Sequence, residues 1–157
     1  MDQQVIDRTA TTTATPAAVY GLLADGSTWP RWSPIGSFEL ISPGTATAGE
    51  PEGLGAVRLF RTGPVRSRER VVERRPGQTF SYVLEKGMPL RDYTAVVTMT
   101  PAAEGTLIRW HSTFQAKVPG TGWIYRLQLG AFIGRCVQGL AAAAAAAATP
   151  GDTPGAA

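Results

Sequence analysis

Short runs rich in β-branched and aromatic residues fill the chain from residue 37 to residue 114, and this pattern constrains the fold more than any other feature. Turns containing glycine or proline separate the runs, which span residues 37–42, 56–61, 65–74, 79–86, 92–100 and 106–114. Links this short join antiparallel neighbours, because parallel strands need long crossover connections. The pattern therefore predicts an antiparallel meander, to which an earlier β-rich run at residues 5–13 adds a seventh strand.

Two short helical segments are predicted between the first strand and the meander. Thr15 and Pro16 supply an N-cap and a first-turn proline for a helix that runs to about Ala24. Residues 28–32, which contain Trp29 and Trp32, form a second short helical turn or loop.

One long helix is predicted after the meander, from residue 121 to residue 148, where Thr149-Pro150-Gly151 ends it. Its apolar stripe has helical spacing and consists of Tyr125, Leu129, Phe132, Cys136 and Leu140. Further apolar residues on its other faces predict that neighbouring elements cover it on more than one side. Together, the strands and helices predict an α+β fold.

Composition limits the class of protein. The chain has 157 residues, 43% of them hydrophobic, which predicts a single domain over residues 1–148, followed by a disordered tail at 149–157. A net charge of +3 is too small to indicate a nucleic-acid partner. Neither a signal peptide nor a membrane span is predicted. One cysteine and one histidine predict no disulfide, no metal site and a reducing, cytoplasmic location, and no cofactor is expected.

Several segments resemble one known family. They are Thr15-Pro16, the Trp29–Trp32 turn, and the stretches ERVVERRPGQTFSY (69–82), RDYTAVVTMTP (91–101) and GTLIRWHSTF (105–114). In this order they resemble the START/Bet-v-1-like helix-grip superfamily (SRPBCC), in particular its bacterial polyketide cyclase/dehydrase-like branch, over residues 3–145. The resemblance implies a seven-stranded, curved antiparallel sheet that grips the long helix, with a cavity between them.

Alternation along the strands predicts which residues line that cavity. Trp110 and Tyr82 are placed inward, beneath the long helix, and a cavity of roughly 300–1,000 Å³ is expected there. The predicted ligand-binding residues are Trp32, Phe60, Val71, Tyr82, Leu84, Tyr93, Ala95, Val97, Trp110, Ser112, Phe114, Tyr125, Leu129 and Phe132. The aromatic members could equally be ordinary core residues.

Three side chains are weak candidates for catalysis: Glu69, Tyr82 and Tyr93. Alternation with Val71 turns Glu69 inward, and a buried carboxyl group would be a credible acid or base. The alternative is that Glu69 pairs with an arginine on the sheet surface. His111 is placed outward with Arg109 and Thr113, so it is not expected to be catalytic.

Arginines cluster between residues 58 and 75, at positions Arg58, Arg61, Arg66, Arg68, Arg70, Arg74 and Arg75. They could form a basic face for phosphate groups or an acidic carrier protein. Because Glu69 and Glu73 interrupt them, a solvated outer face of the sheet is the favoured interpretation.

The sequence favours binding of a medium-sized hydrophobic or aromatic, lipid-like or polyketide-like small molecule. One alternative is a metal-independent polyketide cyclase or dehydratase that uses acid/base residues in the cavity. Another is a homodimerising or partner-regulating module, for which the apolar long helix is the motive. Binding is favoured because no nucleophile with a matched base is present in the sequence.

Overall fold

The computed structural model describes residues 2–155, and side chains up to residue 147. Its helices are α1 (Pro16–Ala24), α2 (Trp29–Trp32) and α3 (Gly122–Gly155), with a 3-10 turn at Gly26–Thr28 before α2. Its strands are β1 (Gln4–Thr12), β2 (Ser37–Ser42), β3 (Val57–Thr62), β4 (Val65–Arg75), β5 (Thr79–Lys86), β6 (Leu90–Ala102) and β7 (Gly105–Ala116).

The strands form one antiparallel sheet in the order β1-β7-β6-β5-β4-β3-β2. Register shifts interrupt three of the strand pairs, β2–β3, β4–β5 and β6–β7, and such bulges bend and twist a sheet. The sheet curves around α3, which packs against β1 and β7 and against the two short helices. The predicted α+β helix-grip fold is therefore confirmed.

Local capping explains the position of α1. The Thr15 hydroxyl accepts a hydrogen bond from the Ala18 N–H at 3.2 Å, and Pro16 occupies the first helical turn. The helix thus begins and ends at the residues that the sequence predicts.

Helix α3 is anchored by the middle of its length. Ile133, Cys136, Val137 and Leu140 are buried, and Gly139 lies against the carbonyl oxygen of Trp32 so closely that a Cβ atom would clash with it. The segment Gly122–Ala147 is long and apolar enough to cross a bilayer, but in this fold it is the helix that the sheet grips.

Two predictions about α3 are wrong. The described helix continues to Gly155, past its predicted end at Ala148. Its first turns are not covered on several sides, since Trp123, Ile124 and Leu127 are exposed. Side chains after Ala147 and all of residues 156–157 lie outside the described part of the chain, so disorder of the tail stays a prediction.

Candidate ligand-binding site

A pocket of about 320 Å³ opens between the sheet and α3. Its walls come from the β3–β4 hairpin, the β5–β6 turn and the first half of α3. The lining is mostly apolar, with a few polar groups that could orient a ligand: Thr62, Val65, Ser67, Gly87, Met88, Pro89, Tyr125, Gln128, Leu129 and Phe132.

Two other surface grooves are somewhat larger. One, of about 420 Å³, lies beside the start of α3 and is lined by Asp2, Trp123 and Arg126 among others. The second, of about 370 Å³, lies where the β6–β7 turn meets the end of β1. Neither lies between the sheet and the buried side of α3, so the 320 Å³ pocket is the candidate ligand-binding site.

The predicted ligand-binding residues separate into three groups. Tyr125, Leu129 and Phe132 line the pocket. Leu84 is half-buried beside the core. The remaining residues are buried: Trp32, Phe60, Val71, Tyr82, Tyr93, Ala95, Val97, Trp110, Ser112 and Phe114.

An aromatic cluster fills the interior between α2 and the sheet. Trp29 lies at its centre, stacked on Phe60 at a ring distance of 4.9 Å and edge-on to Trp110 at 5.6 Å. Tyr82 and Trp32 contact Trp110 from other directions. Trp110 is only 1% exposed and does not line the 320 Å³ pocket, so it is a core residue of the aromatic cluster.

Glu69 lies on the inner face of β4, as alternation predicts. It is directly opposite Arg58 of β3 and Leu84 of β5. Its Oε1 atom is buried and has no hydrogen-bond partner among the described residues. Burial raises the pKa of Glu69 to about 8, against the opposing effect of the Arg58 charge. This carboxyl group is therefore mainly protonated at neutral pH.

Tyr93 and Tyr82 lie near Glu69 in the interior. Burial raises the pKa of both phenols, and the Glu69 carboxyl group adds to the effect. Tyr93 shares a hydrogen bond with the Ser112 hydroxyl at 3.2 Å. A register shift between Arg91 and Thr94, at which Asp92 has a φ of 52°, accompanies the inward placement of Tyr93.

Cys136 faces the same region from α3. Burial raises the pKa of its thiol, and Glu69 contributes to that rise. The thiol is thus kept neutral, which agrees with the place of Cys136 in the predicted apolar stripe of the helix.

Arg58 corrects the prediction that the arginine cluster is a solvated outer face. It is 1% exposed and forms an ion pair with Glu52, which is 2% exposed. Its Nη2 atom donates to the carbonyl oxygens of Leu23 at 2.8 Å and Ala24 at 2.9 Å. Glu52 in turn accepts a hydrogen bond from the Gly26 N–H at 2.6 Å. Desolvation lowers the pKa of Arg58, and the Glu52 charge opposes this effect.

Sequence reasoning missed this pair, although a signal for Arg58 was present. Arg58 is two residues from Phe60 on β3, so strand alternation places both on the same inner face. Glu52 lies in an irregular glycine-rich loop, where no periodicity predicts burial.

Arg74 is a second exception to the predicted outer face: its side chain is 13% exposed, pairs with Glu50 and lies over the Tyr20 ring. Other charged residues of the cluster lie on the outer face of the sheet. Arg68 and Arg70 lie near Glu85, and Arg75 pairs with Glu73, all on partly exposed side chains. His111 is half-buried on this face, opposite Asp7 of β1. For these residues the prediction of an outer, solvated face agrees with the structure.

Comparison with known proteins identifies the family. A sequence profile described as polyketide cyclase / dehydrase and lipid transport matches residues 3–148, which is nearly the whole chain. The chain belongs to this family. No curated protein matches it in sequence.

Solved structures place this family member among proteins of the same fold. A START superfamily protein from Mycobacterium smegmatis superposes with a TM-score of 0.73 at 12% identity, over 89% of this chain and 96% of the other. The protein XoxI from Bacillus cereus gives 0.69 at 19%, over 91% and 95%. A Thermobifida fusca protein gives 0.68 at 24%, over 87% and 90%. At these identities the likeness establishes the fold alone.

Proposed function

We propose that this protein binds a medium-sized hydrophobic or aromatic small molecule in the 320 Å³ pocket between the sheet and α3. Family and fold point to hydrophobic ligand binding or a polyketide cyclase-like role. The observation that supports binding is the pocket lining, in which apolar side chains outnumber a few polar groups. We place this activity in the cytoplasm, in keeping with the single buried cysteine.

Filling the pocket tests this proposal. Leu129 lines the pocket, whereas Leu127 is 61% exposed on the same helix, so the two leucines form a matched pair. In a titration with the neutral fluorescent probe N-phenyl-1-naphthylamine, Leu129→Trp should weaken binding at least about tenfold, because the indole occupies the probe's space. Leu127→Trp should bind like the wild type. Equal affinities for all three proteins would place the probe elsewhere and contradict the proposal.

Extraction of the purified, denatured protein would identify the natural ligand. A copurifying apolar molecule should appear in the mass spectrum of the wild type and be depleted in Leu129→Trp. The same molecule at equal amounts in both preparations would indicate surface adsorption.

Glu69 favours a second candidate, a metal-independent polyketide cyclase or dehydratase. A carboxyl group with a pKa of about 8 can donate or accept a proton near neutral pH. In that role Glu69 would exchange the proton, and Tyr82 and Tyr93 would be its neighbours. A polyketide-like substrate converted by the wild type but not by Glu69→Gln, with binding retained, would favour catalysis over binding alone.

The exposed start of α3 favours a third candidate function, that of a homodimerising or partner-regulating module. Trp123, Ile124 and Leu127 leave apolar area uncovered there. Light scattering of the wild type and Leu127→Glu tests it, since a dimer formed through this area should dissociate in the variant.

A further inference from the structure

Two buried polar atoms on adjacent strands lack partners. Within the described part of the chain, neither Arg58 Nη1 nor Glu69 Oε1 makes a hydrogen bond. The two residues are directly opposed in the β3–β4 register and share the inner face of the sheet. Unpartnered buried groups are costly, and native proteins rarely keep them without a water, an ion or a ligand to satisfy them.

Neither Arg58 nor Glu69 lines the ligand pocket, but a residue of each pocket wall lies close to one that neighbours Glu69. Ser67 lines the pocket and lies two residues before Glu69 on β4, a distance of about 7 Å along the strand. Phe132 lines the opposite wall and lies one helical turn before Cys136. The charge of Glu69 contributes to the raised pKa of the Cys136 thiol. Glu69 as a whole is only partly buried, so its surroundings are not sealed.

The charges around the pair are already balanced. The charge of Arg58 is neutralised by Glu52. The other titratable groups that interact electrostatically with Glu69 are Tyr82, Tyr93 and Cys136, and their raised pKa values keep all three neutral. A further buried negative charge at this place would be desolvated without a free counter-ion. An uncharged oxygen can instead accept hydrogen bonds from Arg58 Nη1–H and from a protonated carboxyl group.

We propose that Arg58 and Glu69 form a polar subsite at the inner end of the pocket, which binds the carbonyl or hydroxyl oxygen of an otherwise apolar, uncharged ligand. This inference rests on the proposed binding function and adds the class of ligand. Apolar atoms of the ligand would lie against Leu129 and Phe132, and its oxygen would point toward Glu69.

Three probes of similar size test the subsite by displacement of N-phenyl-1-naphthylamine: 2-acetylnaphthalene, its hydrocarbon analogue 2-isopropenylnaphthalene, and 2-naphthoate. The wild type at pH 6 should bind the ketone about tenfold more tightly than the hydrocarbon, and the carboxylate more weakly than the ketone. The preference for the ketone should decline as the pH rises through about 8, because ionised Glu69 has no proton to donate.

Variants at position 69 separate this role from a structural one. Glu69→Leu should bind the hydrocarbon as well as the wild type does but prefer the ketone less than about twofold. Glu69→Gln should keep the preference at all pH values, because an amide remains a donor. Glu73→Leu, a change on the same strand in a surface ion pair, should leave the preference and its pH dependence unchanged.

The outcomes distinguish the two proposals. Equal affinity of the wild type for ketone and hydrocarbon would show that water alone satisfies the pair, and would overturn the subsite while leaving the pocket intact. Tightest binding of 2-naphthoate would overturn the requirement for an uncharged ligand. Failure of all three probes and of N-phenyl-1-naphthylamine to bind would overturn both proposals.

Discussion

At the scale of single residues, Trp110 shows how a side chain predicted to line a cavity can be part of the core. It contacts Trp29, Trp32 and Tyr82 and is almost completely buried. Its neighbours are rigid aromatic rings, which cannot easily move to fill the space if it is removed.

Trp110→Ala should therefore lower the free energy of unfolding by about 3–5 kcal/mol, the full cost of a large cavity in the core. Urea denaturation of the wild type and the variant measures this loss. Leu107→Ala, on the exposed side of the same strand, is the control and should change stability little. A small loss for Trp110→Ala would mean that this indole borders empty or ligand-filled space.

Glu69 should make stability depend on pH over a defined range. Its ordinary pKa is 4.5 and its pKa in the folded protein is about 8. Between these values the folded state keeps the proton that the unfolded state loses, so raising the pH favours unfolding by up to about 1.4 kcal/mol per unit.

Denaturation curves of the wild type and Glu69→Gln from pH 4 to pH 9 test this dependence. The difference in stability between the two proteins should change across the range and become constant above about pH 8. Arg109 lowers the pKa of Asp7, and Arg74 lowers the pKa of Glu50. These two carboxylates lose their stabilising effect only as the pH falls toward and below their ordinary pKa values. Both are present in the wild type and in the variant, so they do not affect the difference between the two proteins. A constant difference would show that Glu69 titrates normally.

At the scale of elements, the Glu52–Arg58 pair connects three parts of the chain. Glu52 belongs to the loop before β3, Arg58 belongs to β3, and their hydrogen bonds hold the end of α1 and the 3-10 turn. The Arg58 guanidinium also lies 4.8 Å from the centre of the Phe80 ring.

Arg58→Met should destabilise the protein by about 3–5 kcal/mol, because it leaves Glu52 buried without its cation. The double variant Arg58→Met/Glu52→Gln should recover part of that loss, and a double-mutant cycle measures the coupling. The exposed Arg109–Asp7 pair offers a comparison, and Arg109→Met should have little effect. Additive losses at positions 52 and 58 would show that the pair is not coupled.

The contact between α3 and α2 depends on a glycine. Gly139→Ala should lower stability by about 1–3 kcal/mol, because its methyl group would overlap the Trp32 carbonyl oxygen and force the helices apart. In α1, a Cβ atom at Gly21 meets nothing within 4 Å, so Gly21→Ala should be neutral or stabilising by up to about 1 kcal/mol. Thermal melts of the two variants measure these changes in stability. Equal effects of the two substitutions would contradict the close approach of Gly139 to the Trp32 carbonyl oxygen.

At the scale of the whole molecule, the first strand and the last helix of the domain contact each other. Helix α3 packs on β1, and the Thr12 hydroxyl donates to the Ala141 carbonyl oxygen at 2.8 Å. The family match ends at residue 148, close to this contact.

Removal of the chain after Ala148 should therefore change the free energy of unfolding by less than about 1 kcal/mol, because the removed residues carry no large apolar side chain. Thermal melts of the full and shortened proteins measure the change. Truncation after Val137 is the control and should abolish cooperative unfolding, since it removes the buried Leu140 and Ala144. A larger loss after Ala148 would move the domain boundary into the tail.

The sequence by itself predicted the strands, the first helix and the inner faces of β6 and β7. These features depend on local signals: alternation with a period of two, turn residues, and the Thr15 cap. The end of α3 was not predicted correctly, because a Thr-Pro-Gly sequence is only a statistical stop signal.

Tertiary structure decided which part of the interior is filled and which part is open. Alternation places Trp110 and Tyr82 inward, but the space around them is filled by Trp29 and Phe60, which come from distant parts of the chain. In the same way, Arg58 is buried because a remote loop supplies Glu52, and Glu69 is unpartnered because no basic side chain reaches its Oε1 atom in the described structure. Strand periodicity determines the direction of a side chain, whereas packing volume and ion pairing depend on neighbours that only the assembled fold brings together.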